Sequence, residues 1–284
     1  MSPLGSDAFG PSPLIAYVLG VDQLAWRPAG TRLLDAVDEA ATANGLGLML
    51  VVDATRPSQA LRACIADGRI SGVLIRAQAA ENPWVRELVH SVPTVMIGAH
   101  AKVSDVHVVE FENVESTAAL VGSMLDAGCE RLAMVLGKAG RIDAESRAEG
   151  FRLAHVQRGL TVDPALIYPG DFFRETAYAV ADAILDAEAD GIFAANDEMA
   201  RGLMERIEQC GISVPKDLMI AGFDGTGTVN VTGPELATVR VPWRDLADIA
   251  VETLLGLMGG MDMPRERLVD PEVSLGETIV AKEA

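Results

Sequence analysis

Short apolar runs alternate with amphipathic segments along almost the whole chain. The runs are rich in aliphatic and β-branched residues and predict eight β-strands, at 14–19, 48–52, 72–76, 94–98, 106–111, 132–136, 191–195 and 218–221. Between them, apolar residues recur at intervals of three and four, which predicts helices at 29–43, 58–67, 83–90, 114–127, 145–158, 174–187 and 198–210. Apolar strands that alternate with helices are typical of parallel sheets covered on both faces. The pattern therefore predicts an α/β fold with enough strands for two sheets.

Composition and charge limit the partners that this chain can have by itself. Of its 284 residues, 49% are hydrophobic, which is enough for a large core, and the formal net charge is −18. A field of that sign repels nucleic-acid phosphates and anionic lipid headgroups, so we expect neither DNA nor membrane binding by these residues. Three widely separated cysteines and the lack of a signal-peptide pattern favour a reduced, cytoplasmic environment.

Polar and aromatic side chains follow several of the predicted strands. In open parallel sheets, ligands bind beyond the carboxyl ends of the strands. The residues in those positions are acids, arginines, an amide and aromatics, namely Asp22, Trp26, Glu112, Arg141, Arg147, Phe172, Asn196, Asp197 and Asp224. Such a set can hydrogen-bond hydroxyl groups and stack on a flat apolar face, as sugars and nucleosides require. A helix cap or a turn is the competing interpretation of each residue, and recurrence in both halves of the chain favours a ligand site.

Asn196 and Asp197 stand side by side where a predicted strand ends and a helix begins. A helix needs one capping side chain. We assign that role to Asp197, because it precedes Glu198 and the helix dipole favours acids at this end. Asn196 is then expected to face the ligand as a donor and acceptor.

The sequence carries no signature of catalysis, metal binding or cofactor binding. It has no GxSxG, HExxH or Walker motif, and its four histidines lack the spacing of metal ligands. The glycines of GFDGTGT (222–228) superficially resemble a dinucleotide-binding loop, but no helical pattern follows them. We therefore expect no catalytic residue, no metal and no cofactor, and we predict a protein that is not an enzyme. Because carboxylates alone can do acid–base chemistry, a sugar- or nucleoside-processing enzyme stays an alternative.

Four segments resemble the lactose, galactose and purine repressor family of transcriptional regulators. The most specific is 191–225, GIFAANDEMARGLMERIEQCGISVPKDLMIAGFDG, in which a strand ends in Asn-Asp, a helix follows, and a second strand ends in Gly-Phe-Asp. Residues 146–151 (SRAEGF) are similar to the Arg-x-x-Gly-Phe helix of the family, and 120–137 and 235–255 resemble its crossover and closing segments. The resemblance covers about residues 14–280.

This resemblance implies a periplasmic-binding-protein-like fold of type I, in which two doubly wound parallel-sheet lobes enclose a ligand cleft. We expect residues 1–13 to be a disordered leader. The N-terminal lobe is predicted to comprise 14–126 plus 243–270, and the C-terminal lobe 127–242 plus 271–284.

The resemblance also implies a set of ligand-binding residues. Arg147, Asn196 and Asp224 match positions that hydrogen-bond ligand hydroxyls in sugar-binding members of the family. Among the other implied contacts, Phe172 is an aromatic that packs on the ligand, and Arg141 matches an arginine of purine-binding members. The remaining ones are two aromatics, Trp26 and Trp243, and two acids, Glu112 and Asp22.

The implied function is that of the effector-binding and dimerisation core of a transcriptional regulator. A sugar, sugar phosphate or nucleoside would bind a homodimer and control operator binding by a helix-turn-helix headpiece. Because few residues precede the first predicted strand, we expect that headpiece to be missing from this chain. A sugar- or nucleoside-binding protein of a transport system has the same fold and is the alternative.

Overall fold

The computed structural model describes residues 13–20, 28–53, 59–76, 83–98, 106–227 and 233–282. In chain order the elements are β1 (Leu14–Gly20), α1 (Pro28–Ala43), β2 (Gly47–Asp53), α2 (Gln59–Ala66), β3 (Ile70–Arg76), α3 (Pro83–Ser91), β4 (Thr94–Ile97), β5 (His107–Phe111), α4 (Val114–Asp126), β6 (Leu132–Leu136), α5 (Ile142–Gln157), β7 (Ile167–Pro169), α6 (Arg174–Asp186), β8 (Gly191–Ala194), α7 (Asp197–Gln209), β9 (Met219–Ala221), β10 (Thr238–Arg240), α8 (Trp243–Met258), β11 (Glu266–Val269) and β12 (Glu272–Ser274). All eight strands and all seven helices predicted from periodicity are present, with small differences at their ends.

The chain divides into two compact units. The first contains the described parts of Met1–Glu110 and Trp243–Val269, and the second those of Phe111–Pro242 and Asp270–Ala284. The chain therefore first passes from one unit to the other after Glu110, well before the boundary predicted at residue 126. Helix α4 belongs to the second unit because it packs against α5 there.

The first unit is built on a six-stranded sheet with the strand order β11–β5–β4–β3–β1–β2. The ladders that join β2, β1, β3, β4 and β5 are parallel, as the apolar strands predicted. Helix α8 packs on β3 and β4, and α1 packs beside it. A Cβ atom on Gly72 in β3 would lie 3.0 Å from the Leu254 side chain, so the glycine lets the helix approach the sheet closely.

The second unit has a four-stranded parallel sheet with the order β7–β6–β8–β9. A short antiparallel pair of β10 and β12 adjoins it, and a bridge between Asp224 and Arg240 links the chain beyond β9 to β10. Helix α4 packs against α5, and α6 packs against α7. Backbone contact between α4 and α5 requires a glycine, because a Cβ atom on Gly150 would lie 2.3 Å from the Val114 carbonyl oxygen.

Within the described ranges, no helix combines the length and apolar character that a membrane crossing requires.

Candidate functional site

Polar side chains gather at the carboxyl-terminal edge of the four-stranded sheet in the second unit. Phe172 follows β7, Asn196 follows β8 and Asp224 follows β9, while Arg147 reaches this edge from α5. Because the strands are parallel, their carboxyl ends lie along one edge, where ligands bind in sheets of this kind.

Arg147 is the buried centre of this edge, with a side chain that is only 4% exposed. Its Nε donates to Asn113 Oδ1 at 3.1 Å, its Nη1 donates to the Ala195 carbonyl, and its Nη2 donates to Asp224 Oδ1 at 3.1 Å. Asn113 in turn donates to the Phe111 carbonyl at 3.0 Å. Burial of a guanidinium is costly unless it is paired and hydrogen-bonded, and these contacts supply both.

Two aromatic rings flank the same guanidinium. Cζ of Arg147 lies 3.7 Å from the ring centroid of Phe223 and 5.7 Å from that of Phe172, both within the range of cation–π attraction. Phe223 and Phe172 are both buried. The arginine is therefore fixed in position by rings as well as by hydrogen bonds.

Arg141 also lies beside the Phe172 ring. Its Cζ is 5.0 Å from the Phe172 ring centroid, and its side chain is 15% exposed. Nε of Arg141 donates to Asp143 Oδ1 at 3.0 Å, and Nη2 donates to Oδ2, which makes a two-pronged ion pair. The positive charge of Arg141 is thus balanced by the carboxylate of Asp143, two residues further along the chain.

The backbone that carries Phe172 is strained. Asp171 and Phe172 have φ values of 55° and 65°, a left-handed conformation that bulky residues rarely adopt. The ring packs so closely on Gly137 that a Cβ atom there would be 2.2 Å from Phe172 Cζ. Strain of this kind persists only where the surroundings hold it, and it is common at ligand sites.

The capping role assigned to Asp197 from the sequence is wrong. Asn196 is the helix cap, because its Oδ1 accepts from the Met199 amide at 2.9 Å, while its Nδ2 donates to the Phe172 carbonyl at 3.3 Å. Asn196 therefore caps α7 and links the start of that helix to the backbone of Phe172, and its expected ligand contact stays a prediction. A cap has to precede the first helical residue, and α7 already begins at Asp197.

Asp197 is instead an almost fully buried acceptor. Its carboxylate accepts the amide and the hydroxyl of Thr226 at 2.7 and 3.0 Å, and the hydroxyl of Thr238 at 2.7 Å. Burial, and after it the negative charge of Asp224, raises the pKa of Asp197 to about 7, although the threonine hydrogen bonds oppose the shift.

The raised pKa of Asp197 predicts a pH-dependent stability. The folded state holds this proton more tightly than the unfolded state, whose carboxyl titrates near 3.8. The resulting stabilisation is complete below that value and is lost as the pH rises through about 7. We expect the free energy of unfolding of the wild type to fall relative to Asp197→Asn between pH 5 and 8, with a slope of at most about 1.4 kcal/mol per pH unit. Urea unfolding of both proteins measures the difference, and a constant difference across that range would contradict the assignment.

The other predicted ligand residues have different positions. Oε1 of Glu112 accepts hydrogen bonds from the amides of Val114 and Glu115 at 2.7 and 3.1 Å. It therefore provides an acceptor for backbone N–H groups in the first turn of α4. Trp243 is buried at the start of α8 in the first unit. Asp22 and Trp26 lie outside the described residues.

Three residues of the site were missed in the sequence. Asn113 is the second residue after the strand predicted at 106–111 and could have been found by that position, and Asp143 stands two residues after Arg141. Phe223 lies inside the Gly-Phe-Asp motif, where its apolar character indicated core and not a contact with an arginine. Among the described residues, no group of three or more His, Cys, Asp or Glu side chains is arranged to hold a metal.

Known proteins match both the sequence and the fold. The family model of the periplasmic binding protein-like domain matches residues 121–279. The transcriptional repressor PurR of Aliivibrio fischeri is 32% identical over 155 residues, which are 53% of this chain and 46% of that protein. The regulator MalR of Streptomyces coelicolor is 28% identical over 204 residues, 70% of this chain and 59% of that protein. The chain thus spans about half of the length of these curated relatives.

Solved structures agree in fold over nearly the whole chain. A transcriptional regulator CelR–cellobiose complex has a TM-score of 0.82 and 22% identity, and covers 95% of this chain and 86% of its own. A LacI family transcriptional regulator from Enterococcus faecium with bound ribose has a TM-score of 0.83 and 19% identity, and covers 95% and 100%. These matches confirm the predicted fold class and the resemblance to the lactose, galactose and purine repressor family. The chain belongs to the periplasmic-binding-protein-like domain family.

Proposed function

We propose that this chain is the effector-binding and dimerisation core of a LacI-type transcriptional regulator. The observation that carries the proposal is the buried Arg147–Asp224 pair at the carboxyl ends of the strands of the second unit. The names of the relatives support the regulatory role. A structural framework would favour an apolar pair at this depth, because buried ion pairs add little net stability. The presence of such a pair at the carboxyl ends of the strands therefore favours a role in recognition.

The charges of the site favour an uncharged ligand. Arg147 is paired with Asp224, and Arg141 is paired with Asp143. Asp197 adds further negative charge in the fraction of molecules in which it is ionised. No net positive charge results from these five side chains, whereas binding of a phosphate or carboxylate calls for one. A sugar fits better, because its uncharged hydroxyls can donate to the carboxylate of Asp224.

Regulation follows if the ligand binds one conformation of the protein better than another. We propose that this differential affinity shifts a homodimer between two states. The shift then controls operator binding by a helix-turn-helix headpiece in a longer, cytoplasmic chain. In this role the protein performs no catalysis, and DNA is contacted through the headpiece alone.

A thermal-unfolding screen tests the ligand class. Ribose and cellobiose are the first probes, with ribose 5-phosphate and adenosine as matched charged and nucleoside comparisons. At a concentration of 100 times Kd, a true ligand adds about 2.7 kcal/mol to the free energy of unfolding. We expect an uncharged sugar to stabilise the protein and the phosphate to have no effect. Stabilisation by phosphorylated sugars alone would overturn the ligand class, and consumption of a stabilising sugar would show an enzyme.

A further inference from the structure

The turn that presents the Asp224 carboxylate has a strained backbone. Asp224 has a φ of 106° and Gly225 a φ of 67°, and only the glycine adopts such an angle without steric cost. The amide of Asp224 donates to the Val239 carbonyl at 2.9 Å, which fixes the beginning of the turn. Something must also hold its far side, since an unsupported turn would relax away from this conformation.

Asp197 supplies that support from outside the ligand-binding set. Its Oδ2 accepts both the amide and the hydroxyl of Thr226, two residues after Asp224. Its Oδ1 accepts the hydroxyl of Thr238, whose oxygen in turn accepts the Gly225 amide at 3.3 Å. Both amides that follow Asp224 are therefore tied, directly or through one hydroxyl, to a single buried carboxylate.

Asp197 is itself held rigidly. It is the first residue of α7, and its amide donates to the Phe223 carbonyl at 2.8 Å. Gly222 packs closely against it, since a Cβ atom there would lie 2.5 Å from Asp197 Oδ1. The carboxylate thus connects the start of α7 to the turn, and its three hydrogen bonds restrict the rotation of the side chain.

We propose that Asp197 is a positioning residue for ligand binding, which acts by fixing the 224–226 turn and thereby the Asp224 carboxylate against Arg147. The proposal rests on the proposed function, because it assumes that Asp224 contacts the ligand. It predicts that the threonine bonds of Asp197 matter more for affinity than equally buried threonine bonds elsewhere in the second unit.

Thr238 and Thr278 form a matched pair for this test. Both are buried, and Thr278 likewise bridges backbone segments, since its hydroxyl donates to the Ile220 carbonyl and accepts the Ala237 amide. The Asp197 carboxylate, by contrast, is bonded to Thr226 and Thr238. Thr238→Val and Thr278→Val each remove a buried hydroxyl while keeping its shape, and Thr238→Ser restores the hydroxyl.

Affinity for the sugar that stabilises the wild type, with ribose tried first, is measured by calorimetry for all three variants. We expect Thr238→Val to weaken binding about tenfold or more, Thr238→Ser to bind within twofold of the wild type, and Thr278→Val to bind like the wild type in spite of a comparable loss of stability. Equal effects of the two valine variants, or failure of the serine variant to restore affinity, would overturn the proposal.

Amide hydrogen exchange gives a readout that needs no ligand. The Gly225 and Thr226 amides are expected to exchange faster in Thr238→Val than in Thr278→Val, because only the former loosens the turn. Unchanged exchange in Thr238→Val would overturn the role of Asp197 even if the wild type bound no sugar. Absence of sugar binding by the wild type would instead count against the proposed function, so the two failures are distinguishable.

Discussion

Replacing Asp224 by alanine is expected to lower the free energy of unfolding by about 3–5 kcal/mol. The side chains of Arg147 and Asp224 are 4% and 10% exposed, so the variant leaves a guanidinium buried beside no carboxylate. The remaining bonds of Arg147, to Asn113 and to the Ala195 carbonyl, satisfy donors but do not neutralise its charge. Urea unfolding of the wild type and the variant measures the loss.

Asp126→Ala is the matched control. Asp126 pairs with Arg158 in the same unit through two hydrogen bonds, whereas Asp224 accepts one from Arg147, but the Asp126 side chain is 65% exposed. Water replaces that carboxylate, so the control should lose at most about 1 kcal/mol. Similar losses in the two variants would mean that the Arg147–Asp224 pair is solvated, which would contradict the buried site.

The same substitution separates stability from recognition. Asp224→Ala should abolish the stabilisation by a bound sugar, because the acceptor for ligand hydroxyls is gone. Asp126→Ala should keep the full ligand response. An undiminished response in Asp224→Ala would show that the ligand binds elsewhere.

Periodicity was sufficient for most of the fold. Strands such as β6 and β8 are short runs without a polar side chain, which is typical of the buried strands of a parallel sheet, so their composition alone indicates them. The strands that periodicity missed, β7, β10, β11 and β12, are three or four residues long. A strand of that length forms because of the strand with which it pairs, as β10 pairs with β12 through Thr238 and Ser274. The local sequence pattern therefore does not predict it.

Some neighbours in the candidate site were predictable from the sequence, but their hydrogen bonds were not. Strand-end positions identified Arg147, Phe172 and Asp224 correctly as neighbours at one edge. Which of Asn196 and Asp197 caps α7 was not predictable from spacing, because both are good capping residues. The choice depends on Thr226 and Thr238, which lie far along the chain and meet Asp197 only in the folded unit. Long-range hydrogen bonds of this kind leave no periodic signal.

The second large effect is expected from Phe151→Ala, which should cost about 3–5 kcal/mol of the free energy of unfolding. The Phe151 side chain is fully buried, and its ring centroid lies 4.6 Å from that of His155 and 6.3 Å from that of Phe193 in β8. Phe173→Ala is the control, since its side chain is 40% exposed and should lose less than about 1 kcal/mol. If Phe151→Ala fails to fold, Phe151→Leu should show a smaller loss of the same origin.

Phe151 also decides where Arg147 points. The two residues are four apart on α5 and therefore lie on one helix face, so the ring that docks α5 on the sheet also aims the guanidinium at Asp224. Loss of the ring should loosen that ion pair. The double variant should then lose less free energy of unfolding than Phe151→Ala and Asp224→Ala lose together as single variants. A double-mutant cycle by urea unfolding measures this coupling. Strict additivity would mean that α5 keeps its position without the ring and that the Arg-x-x-Gly-Phe motif serves the core and the site independently.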